Sequence, residues 1–178
     1  MMKRPVIAVL GVLLAAGCSG SSSSTTSPSP NGPGNSTIRF TAALSPSNET
    51  PPITNAESVG SGTATIDFNI TRDANSVITA ASVNFSVNMS GFPSTTVINI
   101  AHIHTGAAGV AGGVLVSTTL AAGEVVLSGG TGTFTRVGIT MTSTVAQSII
   151  DNPAGFYFNV HSTLNPGGVI RGQLVRAN

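Results

Sequence analysis

Cysteine, tryptophan, lysine and charge are all scarce in this chain. It has one cysteine and no tryptophan, and Lys3 is its only lysine. A single thiol cannot form an intrachain disulfide, so any folded unit must be held together by its core. Charged residues make up 7% of the sequence, with a formal net charge of +1. Removing Lys3 and Arg4 would leave five Arg against six acids. A surface that close to neutral lacks the basic patch that the phosphate backbone demands, which excludes a nucleic-acid partner. Sparse charge also speaks against long solvated helices. No Gly-x-Ser-x-Gly elbow occurs, and the acids Glu49, Glu57, Asp67, Asp73, Glu124 and Asp151 are scattered without an evident pair. No catalytic residue is assigned from the sequence.

What the chain does have is Gly, Ser, Thr and Val, and a clear change of character along its length. Lys3 and Arg4 precede an apolar stretch from Val6 to Ala16, followed by the small residues Ala15, Ala16 and Gly17 and then Cys18. This is the layout of a secretory signal ending at a cleavage site, expected over residues 1–17. Its apolar run is too short to span a bilayer, which takes about 20 residues. Leu14-Ala15-Ala16-Gly17-Cys18 resembles a bacterial lipobox, with Ala15 where the commonest pattern has a large aliphatic residue. That resemblance implies lipidation of Cys18 by diacylglycerol and a further acyl chain such as palmitate. It makes the membrane a partner through the anchor and places the protein in the cell envelope. Ser19, rather than Asp, after the cysteine implies the outer membrane if the host is Gram-negative.

Residues 18–36 hold the lipidated cysteine and a Ser/Pro/Gly-rich tract that cannot bury enough apolar surface to offset its ordering entropy. As a flexible coil it would hold a domain roughly 20–25 Å from the lipid.

From Thr37 the pattern changes to a period of two. Ile38, Phe40, Ala42 and Leu44 alternate with polar residues, as do Ala64, Ile66, Phe68 and Ile70, and Ala81, Val83, Phe85, Val87 and Met89. Such alternation predicts half-buried strands. Further strands are expected at Val97–His104, Gly113–Thr119, Gly132–Met141, Gly155–Ser162 and Val169–Arg176. Gly- and Asn-rich turns separate them. About eight strands predict an all-β domain over 37–178, a Greek-key-like sandwich or barrel. One short helix is expected, capped by Ser143 or Thr144 and ended by Asn152-Pro153.

All three histidines fall in two short segments. In a strand, residues i and i+2 share a face. His102 and His104 therefore project together, and His161 shares a face with Tyr157 and Asn159. If the two strands pair, three imidazoles converge, which is a starting set for Zn or Cu. The other reading is structural, with the rings hydrogen-bonded to loop carbonyls around Gly106–Gly113 and Asn165–Gly168. An acid–base role is the third. Arg171 is either an anion anchor or a strut to backbone carbonyls, and Asn159 closes a network at the strand end. The glycines after His104 follow a strand but open no helix, so they are turn formers and not a dinucleotide loop.

The two segments, His102-Ile103-His104-Thr105-Gly106 and Tyr157 to Ser162 running on through Pro166-Gly167-Gly168-Val169-Ile170-Arg171-Gly172-Gln173-Leu174, resemble the CHRD domain, named for chordin. The resemblance covers roughly Ile38 to Val175. It implies a β-sandwich or barrel module and little about function; the leading reading is an envelope-tethered module that binds or scaffolds a protein or small ligand without catalysis. A weaker likeness joins His102, His104, His161 and Arg171 to copper–zinc superoxide dismutase. That enzyme needs more histidines, a metal-binding Asp and a disulfide, which this chain cannot supply. A metal-binding protein with redox activity and a purely structural envelope protein are the alternative readings.

Overall fold

The computed structural model describes residues 31–177. The expected signal peptide, Cys18 and most of the expected tether lie outside the described residues. Among the described residues nine strands form two antiparallel sheets in a sandwich, with one α-helix; the sheets remain open and do not close into a barrel. The first sheet has the order β6-β3-β2-β1-β9, with β1 at Gly34–Leu44, β2 at Ser61–Arg72, β3 at Ile78–Ser90, β6 at Gly132–Met141 and β9 at Val175–Arg176. The second has the order β5-β4-β7-β8, with β4 at Ile98–Thr105, β5 at Val114–Ser117, β7 at Phe156–Ser162 and β8 at Ile170–Gln173.

The period-two pattern becomes the core directly. Ile38, Phe40, Ala42 and Leu44 are buried on β1, facing the second sheet, beside Ala64, Ile66, Phe68 and Ile70 of β2. Phe85 of β3 meets Phe158 of β7 across the sandwich, ring centroids 5.6 Å apart. Alternation works because the outer face of this sheet is solvated while its inner face is dry.

Three details differ from the sequence reading. β1 begins at Gly34, so residues 34–36, expected in the tether, pair with β2. The stretch expected as one strand over Val169–Arg176 is two. β8 pairs with β7, and β9 then pairs with β1 in the other sheet. The chain changes sheets at Leu174, whose N–H is taken by the Phe156 carbonyl. The helix α1, Ser143–Asp151, is capped by Thr142 rather than Ser143 or Thr144, because the Thr142 hydroxyl accepts from the Val145 N–H. Ala146, Ile149 and Ile150 form its buried face. No helix among the described residues is long and apolar enough to cross a membrane.

One irregularity sets up the site. Along β4 the inward residues are Ile98, then Ala101 and Ile103. The parity changes because the pairing with β7 slips between Ile98 and Ile100. An extra residue of this kind turns every following side chain to the other face. After it, Ile103 packs inward and His102 and His104 point outward.

Candidate metal centre

The outer face of the second sheet is polar but covered. In the register, His102 lies opposite Asn159 and His104 opposite Tyr157. On the other side of β7, Asn159 lies opposite Arg171 and Tyr157 opposite Gln173. Cross-strand partners share a face, so these six side chains and His161 form one patch. His102, His104, Tyr157, Asn159, His161 and Arg171 are each at most 9% exposed. Three segments shield them: the stretch between β1 and β2, the glycine-rich loop from Gly106 to Gly113, and the turn before β8.

The three histidines come together. One ring nitrogen from each lies within 4.8 Å of the other two. His102 Nδ1 is 3.4 Å from His161 Nε2. The other nitrogens identify the tautomers. His104 Nδ1 lies 3.1 Å from the Gly112 carbonyl and His161 Nδ1 lies 2.9 Å from the Pro166 carbonyl. A carbonyl only accepts, so both Nδ1 atoms carry the proton and both Nε2 atoms present a lone pair. The Nε2 of His104 is buried and has no hydrogen-bond partner.

Electrostatics keeps the cluster neutral. Burial, then His161 and His104, push His102 down to about 4. Burial also holds His104 below its ordinary value, against the Gly112 carbonyl and with help from Arg171. His161 is lowered by burial first and then by His104, opposed by the Pro166 carbonyl. Neutral imidazoles are the protonation state in which histidine binds a metal.

Tyr157 and Arg171 complete the wall. The Tyr157 ring stacks on His104, with centroids 5.0 Å apart and planes 7° off parallel. Arg171 lies over Tyr157, its Cζ 3.9 Å from the ring centroid. Its guanidinium donates to the Ala107 and Val110 carbonyls. Arg171 is therefore a strut that pins the glycine-rich loop. Tyr157 accepts from the Gly112 N–H, which fixes the same loop from the other side. Asn159, expected to close a network, keeps its Oδ1 buried and unpartnered.

Two residues that the sequence did not single out lie at this face. Glu49 and Glu57 are 7% and 2% exposed. Glu57 accepts from the Ser162 hydroxyl and the Asn165 amide, tying the turn before β8 to the stretch before β2. Glu49 Oε1 has no hydrogen-bond partner. Glu57 lies in a short 3-10 segment at Ala56–Val59 and Glu49 directly follows another at Pro46–Asn48, and neither segment carries a periodicity to mark them as buried. The N-capping residues Ser45 and Asn55 were the available signal.

A family model for the CHRD domain matches residues 40–174. No curated protein and no solved structure matches the chain.

Proposed function

Given that the chain belongs to the CHRD domain family, we propose that it is a non-enzymatic binding module and that its ligand is a transition-metal ion, Zn or Cu, held by His102, His104 and His161. The observation that carries this reading is the convergence of three neutral imidazoles with two Nδ1 protons already committed to backbone carbonyls. Metal-binding histidines characteristically donate their second N–H to a carbonyl or carboxylate, which orients the ring. Bonds of about 2.0–2.1 Å around a tetrahedral ion place two ligand atoms about 3.3–3.4 Å apart. The His102–His161 separation of 3.4 Å equals that edge, and it is long for a hydrogen bond. A purely structural role leaves the buried His104 Nε2 unexplained, since an unpartnered buried acceptor costs about 1–3 kcal/mol.

The three-nitrogen set lacks thiolate and carboxylate, which favours Zn or Cu over Ca or Mg. It is too small for the two-metal chemistry of superoxide dismutase. Three protein ligands leave a position for water or a ligand atom. We propose further, from the sequence of residues 1–36 alone, that the module is exported and tethered in the envelope through Cys18. The test of the metal reading is calorimetric titration of Zn²⁺ and Cu²⁺ into the protein, purified without chelating tags, and into His102→Ala, His104→Ala and His161→Ala. One equivalent should bind to wild type, with large affinity losses in all three variants. No binding to wild type, or binding that survives all three changes, contradicts it.

A further inference from the structure

Beside the histidine cluster stands a buried carboxylate without a close ion pair. Glu49 is 7% exposed, and its Oε1 is fully enclosed and unpartnered. Among the described residues the close ion pairs are Arg39 with Asp67 and Arg136 with Glu124, so none reaches Glu49. Arg171 acts on it only through space, being occupied by two carbonyls and the Tyr157 ring. A buried carboxylate is expected to be paired, because an isolated one is costly to remove from water.

The surroundings indicate what the partner is. Glu49 lines a cleft of about 330 Å³ whose other walls include Pro51, Pro52, Ile53, Leu164 and Pro166. The backbone of Gly168 also lines this cleft, and a Cβ at that residue would lie 2.8 Å from Glu49 Oε2 and 2.5 Å from the Asn159 amide nitrogen. Asn159 Oδ1, 2.8 Å from the same point, is itself buried and unpartnered. Glu49 Oε2 and the Asn159 amide group therefore flank one glycine, next to a cleft walled by aliphatic and proline side chains.

We propose that this cleft binds a primary alkylammonium group, with the Glu49 carboxylate receiving its N–H donors and the proline and leucine walls covering its methylene stem. An ammonium carries three donors on a compact charge, which suits a single carboxylate. A hard metal cation would need about six oxygen ligands. A quaternary amine would want an aromatic cage, and no aromatic residue lines the cleft. The group can come from a free diamine or from a lysine side chain of a partner, and the two are separable by experiment.

The groups facing Glu49 are Arg171 from β8, Asn159 from β7 and the turn that holds Asn165 against Glu57. Burial raises Glu49 to about 7, with Arg171 opposing. Amines remain protonated to about pH 10, so binding should strengthen as Glu49 ionises. The probes are 1,5-diaminopentane and an end-capped peptide with one internal lysine, titrated into the protein and followed by NMR. We expect saturable binding of at least one probe, roughly ten-fold tighter at about pH 8.5 than at about pH 6. Binding of the diamine alone identifies a free amine, and binding of the peptide identifies a lysine side chain. Acetylating the peptide lysine should abolish its binding, and Glu49→Gln should abolish binding of both probes. Leu164→Lys, at an exposed wall position, should weaken binding by repulsion without disturbing the core. No binding of either probe at the higher pH, or undiminished binding in both variants, overturns the proposal.

Discussion

The two nitrogens of His104 have different surroundings. Nδ1 is satisfied by the Gly112 carbonyl, while Nε2 is buried with nothing to accept. The imidazoles and Glu49 carry opposite pH signatures. His102 titrates at about 4 when folded and near 6.5 when unfolded, so its stabilising contribution is complete above about pH 6.5 and is lost as pH falls toward 4. Glu49 rises from 4.5 to about 7 on folding. Its contribution is complete below 4.5 and is lost as pH rises through about 7. Melting temperatures of metal-free protein should therefore fall on acidification between about pH 6.5 and 4, and less steeply in His102→Gln. Glu49→Gln should gain on wild type as pH rises from about 5 to about 8. Parallel curves for wild type and Glu49→Gln would show that Glu49 is not held as described.

At the scale of elements, the site depends on a slip in β4 and on a loop clamped from two sides. A Cβ at Gly112 would fall 1.8 Å from the Thr105 carbonyl oxygen, so only glycine lets the loop come close enough to present its carbonyl to His104. At Gly113 the added Cβ meets nothing within 4 Å. Gly112→Ala should reduce metal affinity by about 10–100-fold, the usual effect of losing a group that orients a ligand, while Gly113→Ala should leave it unchanged. Equal affinities in the two variants, measured by competition with a chelator, would detach the loop from the site.

The elements also mark where sequence stops being informative. β1, β2 and β3 were legible because each is long, dry on one side and wet on the other, which writes a period of two. The pairing of His102 and His104 followed from the same period. The entry of His161 followed from β4 and β7 being neighbours. The Leu174 switch between sheets was not legible, since one continuous β-rich run serves both strands. Glu49 and Glu57 were missed because their burial arises from contacts more than a hundred residues away in sequence, from turns with no pattern of their own.

For the whole molecule, two open sheets enclose one core, and the covered polar face lies outside it on the second sheet. Site chemistry can therefore vary while the sandwich stays intact, consistent with a binding module. The proposed anchor belongs to this scale too. Cys18→Ser should abolish incorporation of a fatty-acid analogue in labelled cells, and undiminished label would remove lipidation from the account. The metal centre is tested most directly by X-ray absorption on the protein loaded with one equivalent of Zn²⁺. The account predicts three imidazole nitrogens at about 2.0–2.1 Å, with a light atom completing about four ligands. A shell of oxygens without imidazole scattering would contradict it.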